Sequence, residues 1–239
     1  AGGRKGGQLS GWHPADLAAQ VIDELVRRTR ADPARVDDVI MGCVSQIGEQ
    51  STNIARNAVL ASGLPETVPA TSVDRQCGSS QQAIHFAAQA VMSGTMDMVI
   101  ASGVESMSRV PIGTPMDLPQ KAGLGFYKSP GMEARYPEVF FSQFTGAEEI
   151  ARKWELGREA MDEFSFQSHL KSRAATEAGR FDAEIIAVEK RLHDGAVPGD
   201  MATRDEGIRY DVSLEAVSQV RLLTEGGRLT AASASQICD

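Results

Sequence analysis

The stretch V-D-R-Q-C-G-S-S-Q-Q-A-I-H-F-A-A-Q-A-V-M-S-G, residues 73–94, decides how the rest of the chain is read. A lone cysteine, Cys77, stands between an extended run near 69–76 and a helix of small residues expected over about 78–93. Gly94 is a fitting C-terminal stop for that helix. A strand that turns sharply into a helix lifts a side chain to the carboxyl edge of the sheet, where open α/β proteins bind ligands. The helix N-terminus offers partial positive charge and free N–H groups, and both favour thiolate over thiol. Gly78 permits a tight turn and the close approach of a substrate carbonyl. Ser79 or Ser80 is placed to cap the helix. Ala83, Ala87, Ala88 and Ala90 carry little bulk, so the helix is expected to sit buried among others. By residue type alone, Cys77 reads either as a core thiol or as a nucleophile.

Working outward, residues 14–30 read as a helix with Pro14 in its first turn and an apolar stripe of Leu17, Val21, Ile22, Leu25 and Val26. A buried strand is expected at 37–46, a helix at about 53–61, and a short strand, D-M-V-I-A-S-G, at 97–103. Strands alternating with helices imply an α/β fold with a largely parallel sheet. The texture changes after Ile112. Residues 113–144 are rich in Gly and Pro and hold Phe126, Tyr127, Tyr136, Phe140, Phe141 and Phe144, which reads as a long functional loop. Helices follow near 145–156 and 158–178, the second with Met161, Phe164 and Leu170 at helical spacing. A strand near 183–192 and a helix near 213–222 complete the pass. The expected organisation is a core at 1–112, an insertion at 113–228 and a return to the core at 229–239.

Composition narrows the function classes. The net charge is -8, from 24 basic and 32 acidic residues, which opposes a nucleic-acid role because polyanion binding needs a basic face. No apolar run approaches the roughly 18 residues that suggest a membrane span. Cys43, Cys77 and Cys238 are odd in number, far apart and form no C-x-x-C. They point away from a disulfide framework or a metal site and toward a reducing cytoplasm. The opening A-G-G-R-K-G-G and the closing A-S-A-S-Q-I-C-D read as cuts through a longer protein or as limits of the described chain.

R-Q-C-G-S-S-Q-Q-A at 75–83, followed by S-G-T-M-D-M-V-I-A-S-G-V-E-S-M-S-R at 93–109, resembles the signature of the thiolase family, the acetyl-CoA acetyltransferases and 3-ketoacyl-CoA thiolases. G-Q-L-S-G-W-H at 7–13, G-E-Q-S-T-N-I-A-R-N-A at 48–58, A-E-E-I-A-R-K-W at 147–154 and L-T-A-A-S-A-S-Q-I-C-D at 229–239 resemble the family in the same order. The resemblance covers essentially the whole chain. It implies a layered α/β/α half with a mixed, mostly parallel sheet and an inserted loop domain; the family builds each half on five strands, of which the first is expected to be clipped and the last absent here. It also implies that Cys77 takes an acyl group as a thioester. The reaction would be thiolysis of a 3-ketoacyl-CoA or the reverse Claisen condensation, with coenzyme A or acyl-CoA as substrate and no prosthetic group. In the family a Gly-His-Pro histidine, a Cys-x-Gly cysteine and an Asn-Glu-Ala-Phe asparagine from a second half complete the site, and none of these motifs occurs here. The chain thus reads as an amino-terminal half that carries the nucleophile without its base.

By the same resemblance the insertion holds coenzyme A. Arg209 in G-I-R-Y-D matches an arginine at the nucleotide end, Ser235 a serine on the pantetheine arm, and Ala231 a residue of the same wall. Arginine suits that place because its planar guanidinium both pairs with phosphate and stacks. Ser142, Gln143 and Phe144 stand where many thiolases have a histidine or methionine in the acyl pocket. His13, His85, His169 and His193 read as surface or packing residues, and Cys43 and Cys238 as structural. Glu105 and Arg109 read as a structural pair or a dimer contact, and G-L-G-F-Y-K-S at 123–129 fails as a phosphate loop because no glycine precedes its lysine. Homodimers and homotetramers are usual in the family. Two other readings stand beside the acyltransferase: a degenerate module that holds coenzyme A without turnover, and a ketoacyl or hydroxymethylglutaryl synthase, against which V-E-S-M-S and Q-I-C-D argue. The spellings around Cys77 and in S-Q-I-C-D are similar to those of thiolases acting on bulky, sterol-like side chains, while chain length and direction stay open.

Overall fold

Three parallel strands carry the site. In the computed structural model, which describes residues 2–239, they are β1 (Asp38–Gly42), β2 (Ala70–Val73) and β3 (Val99–Gly103), in the order β2-β1-β3. Ala1, the first residue of the A-G-G-R-K-G-G opening, lies outside the described residues. The register pairs Val39 with Ala70 and with Ile100, and Gly42 with Val73 and with Gly103. Alternation along β1 sorts the two faces. Val39, Met41 and Cys43 pack with Ile100 against α1 (Pro14–Thr29) and α2 (Ile54–Ala61). Ile40 packs on the other side with Val73, Val99 and Ala101 against Ala83 and Ala87 of α3 (Ser79–Met92). The result is a three-layer α/β/α unit with a parallel sheet, the layering as the resemblance implied and the parallel sheet as the alternating pattern implied. Its parallel sheet has three strands.

Local chemistry explains the helices. His13 caps α1 by accepting from Ala15 N, Pro14 opens it, and Arg30 ends it in the left-handed region at φ 54°. The helix buries Ala15, Ala18, Ala19 and Ile22, so its packed face is largely alanine and approaches α2 closely. Val21 and Leu25 of the expected stripe lie off that face and are exposed. Asn53 caps α2 by accepting from Arg56 N, and its Nδ2 donates to Ala70 O at 2.8 Å, fastening the helix to β2.

The chain divides into two compact units: Ala1–Leu124, Ile186–Thr203 and Ile237–Asp239 form the first, and Gly125–Ile185 with Arg204–Gln236 the second. In the first, the strand expected near 183–192 shrinks to β4 (Val188–Glu189), paired antiparallel with β5 (Met201–Ala202). Its flank bonds instead to irregular backbone: Gly11 N donates to Arg191 O, and Arg191 N to Gln8 O. Gly11 is required there, since a Cβ would stand 2.3 Å from Leu192 O. Residues 237–239 run antiparallel to 3–5, with Gly3 N donating to Asp239 O and Asp239 N to Gly3 O.

The expected long loop at 113–144 contains two short helices, α4 (Thr114–Lys121) and α5 (Pro130–Arg135), each with a proline in its first turn. Pro115 and Pro130 stand in those first turns, while Pro119 lies inside α4. The second unit adds α6 (Gln143–Lys153), α7 (Arg158–Glu177) and α8 (Leu214–Ser218). On α7 the buried residue is Asp162; of the expected apolar stripe Met161 and Leu170 are half-buried, whereas Phe164 is 77% exposed. Among the described residues no helix is long and apolar enough to cross a membrane.

Candidate active site

Cys77 lies in the turn between β2 and α3, and it is exposed. Local hydrogen bonds shape that turn. Asp74 Oδ1 accepts from Gln76 N at 2.7 Å, Gly78 N donates to Arg75 O, and Ser79 N donates to Gln76 O. Gln76, directly before the cysteine, adopts φ 47°, a left-handed conformation that costs a non-glycine residue free energy. Ser79 holds it there: its Oγ donates to Gln76 O at 2.6 Å and accepts from Arg75 N at 3.0 Å. This is a correction to the expected cap. Gly78 occupies the N-cap of α3 without a side-chain bond, and the buried Ser79 fastens the turn ahead of the helix.

The start of α3 rests directly on the sheet. Gly42 ends β1, Gly103 ends β3, and the two are register partners. A Cβ on Gly42 would meet Ser80 N at 2.3 Å and the Ser79 carbonyl carbon at 2.4 Å; one on Gly103 would meet Ser80 Cβ at 2.8 Å. Both positions face α3, so the missing side chains are the space into which Ser79 and Ser80 descend. The sequence reading named neither glycine. The available signal was that the buried run around M-G-C at 41–43 and the apolar run A-S-G at 101–103 both place a glycine at the strand's carboxyl end.

A buried polar network braces the same edge. Glu105 accepts from Val44 N at 2.8 Å, Ser45 N at 3.2 Å and Gln50 Nε2 at 2.9 Å, while Gln50 Oε1 accepts from Ser106 N at 2.7 Å. Glu105 therefore ties the chain after β1 to the chain after β3. It does not pair with Arg109, whose guanidinium bonds Glu49 at 2.5 Å and holds that carboxyl below the usual range. Cys43 is buried at the end of β1. Burial first, then Glu105 and Asp74, push its thiol up to about 12. The helix that follows Cys77 buries Ser79, Gln82, Ala83 and Ala87 but leaves Ile84, Phe86, Val91 and Met92 exposed, so it is covered on one face only.

The other sequence-predicted residues, Arg209, Ala231 and Ser235, belong to the second unit, and all three are exposed. One contact joins their segments: Gln236 Nε2 donates to Gly207 O at 2.5 Å. Thr230 and Ser233 close a tight turn beside Ala231, with Thr230 N donating to Ser233 Oγ. His169, read from the sequence as a surface or packing residue, accepts at Nδ1 from Arg209 N at 3.2 Å. The lysine of G-L-G-F-Y-K-S is engaged, with Lys128 Nζ donating to Tyr136 O and Val139 O and pairing with Glu133. Among the described residues, no group of three or more His, Cys, Asp or Glu is placed to hold a metal ion.

Comparison with known proteins fits this architecture. The family model for the thiolase N-terminal domain matches residues 1–239. The steroid 3-ketoacyl-CoA thiolase FadA6 of Mycobacterium tuberculosis is 50% identical over 242 residues, covering 99% of this chain and 57% of its own length. A 3-ketoacyl-CoA thiolase of Pseudoalteromonas translucida is 38% identical over 241 residues, covering 100% of this chain and 59% of its own length. One from Saccharophagus degradans is 40% identical over 227 residues, with 94% and 55% covered. The chain therefore spans a little over half the length of the curated relatives it matches. The glycine-seated turn that carries Cys77 sits in a chain that, along its whole length, belongs to the thiolase family as an N-terminal domain.

Proposed function

We propose that the protein is an acyl-CoA C-acyltransferase of the thiolase type, with Cys77 as its nucleophile. The observation that carries this reading is an exposed thiol held at the carboxyl edge of a parallel sheet by a strained turn that Ser79 fastens. In thiolysis the Cys77 thiolate attacks the 3-keto carbonyl of a 3-ketoacyl-CoA. The bond between C2 and C3 then breaks, and the departing acetyl-CoA enolate takes up a proton. The acyl group remains on Sγ as a thioester until the thiol of a second coenzyme A displaces it. The reverse sequence condenses two acyl-CoA molecules. Covalent catalysis of this kind divides one hard step into two easier ones.

In this reading the second unit is the inserted coenzyme A-binding domain. Arg209 meets the nucleotide end of the ligand, and Ser235 and Ala231 line the pantetheine arm. The 50% identity to a protein named a steroid 3-ketoacyl-CoA thiolase supports a bulky, steroid-derived acyl chain. The odd, dispersed cysteines support a reducing cytoplasm, and family habit supports a homodimer or homotetramer.

The test is trapping. The full natural chain is incubated with acetyl-CoA labelled in the acetyl group, quenched in acid and digested. Label on the peptide containing Cys77, absent from Cys77→Ser, is the expected result. Turnover with no label on that peptide would overturn the assignment, and ligand binding without turnover would favour the non-catalytic module.

A further inference from the structure

His169 stands in the middle of α7, half-buried, and Arg173 stands one turn further along the same helix. Residues four apart share a helix face, and these two grip consecutive residues of one loop. Arg209 N donates to His169 Nδ1 at 3.2 Å, and Arg173 Nη1 donates to Tyr210 O at 2.7 Å. The loop is fixed behind as well, by Gly207 N donating to Asp205 Oδ1 at 2.6 Å and by Gln236 Nε2 on Gly207 O. The Tyr210 ring lies under the Arg204 guanidinium, 5.3 Å from its carbon. Every hold falls on backbone or on a flanking ring, and the Arg209 side chain projects exposed. Its guanidinium has no ion-pair partner among the described residues.

We infer that His169 and Arg173 are positioning residues, which hold the backbone at 209–210 so that Arg209 is presented to the phosphate-bearing end of coenzyme A. This rests on the reading of Arg209 given above. It adds a condition that the loop alone does not impose: the imidazole must be neutral, with its proton on Nε2, because an imidazolium has no acceptor at Nδ1. The surroundings favour that state. Burial first, then the charge of Arg209, hold His169 below its ordinary value. Of the charged groups on elements near α7, Arg209 is the one whose field acts on the ring; Arg204, Asp205, Glu206 and Asp211 flank it in the loop, Arg173 lies on α7 itself, and Glu215 lies on α8. Protonation removes the bond and sets a second cation beside Arg209. Acidification therefore releases the loop, and the grip is complete only above the depressed value.

The experiment measures binding of 3′-phosphoadenosine 5′-diphosphate to the full natural chain by calorimetry between pH 5.5 and 8. His169→Asn keeps an acceptor on Cγ but does not titrate; His169→Ala keeps neither property. At pH 8 the Asn variant is expected to bind like the natural protein, and the Ala variant about fivefold more weakly, the loss of one hydrogen bond. As pH falls, the natural protein loses affinity relative to the Asn variant, and the ligand's own phosphate titration cancels because both proteins share it. Arg173→Met is expected to weaken binding at every pH, with partial rescue in Arg173→Lys. Arg209→Ala separates the two ideas. If it leaves binding intact, the reading of Arg209 fails. If it weakens binding while His169→Ala binds normally, or while the Asn variant tracks the natural protein at every pH, the positioning role is overturned.

Discussion

Cys43 and Cys77 lie at the same sheet edge and meet opposite surroundings. Cys43 is buried and pushed up to about 12, so at pH 8 it is a neutral thiol with no path to solvent. Cys77 is exposed in its turn, and so is Cys238. A brief treatment with iodoacetamide at pH 8, followed by peptide mass spectrometry, is expected to modify Cys77 and Cys238 and leave Cys43 intact until denaturant is added. Equal modification of Cys43 in the folded protein would contradict the burial described. Cys77 was legible in the sequence because a thiol followed by Gly-Ser-Ser at a strand-to-helix junction is a local pattern. The role of His169 was not. A lone histidine in mid-helix looks like packing until the loop that returns to it, carrying Arg209, is seen in space.

At the scale of elements, the junction of β1, β3 and α3 decides where the thiol stands. Gly42→Ala forces a methyl group against backbone, which cannot swing aside, and the expected cost is about 1–3 kcal/mol by urea unfolding. Gly103→Ala meets Ser80 Cβ at 2.8 Å and, less tightly, Gly42 O at 3.3 Å. Adding Ser80→Gly is therefore expected to relieve most of the Gly103→Ala clash, at the roughly 0.5–1 kcal/mol that a helical glycine costs, and to leave Gly42→Ala unrescued. Alkylation rates at Cys77 should follow the same order, because the turn moves with the helix. Equal rescue of both variants would show that the sheet yields more readily than the geometry implies. Helices α1, α2, α3 and α7 were readable from caps and periodicity. Strand lengths were not, because β4 pairs over two residues only and its flank bonds to an irregular segment near Gly11. The glycine seat escaped notice for a related reason: a glycine closing an apolar run looks like punctuation, and its partner Ser80 is distant in sequence.

At the scale of the molecule, the two units are held together internally by different forces. The first has three apolar clusters; the second buries few apolar side chains, among them Ala151, Val217 and Leu229. Arginines and one glutamate stitch the second unit instead. Arg158 donates to Val217, Ser218 and Val220 carbonyls, Arg228 donates to Ala151 O at 2.6 Å, and Glu148 accepts from Arg228 N and Leu229 N. Hydrogen bonds from a charged donor contribute about 1.5–3 kcal/mol each. Arg228→Met is therefore expected to speed hydrogen exchange in α6 and α7 while the amides of α1, α2 and β1 keep their protection. Uniform loss of protection in both units would refute separate stabilisation. The sequence exposed the change of texture after Ile112, but not these bonds, since an arginine's carbonyl partners leave no mark in a linear pattern. One feature of the first unit bears on how such a chain is born. Asp239 accepts from Ser106 Oγ, Ser108 N and Ser108 Oγ, and its backbone pairs with Gly3. A ribosome delivers that aspartate after all the residues it braces, so nascent Ser106 and Ser108 wait without their acceptor while the whole second unit is being translated.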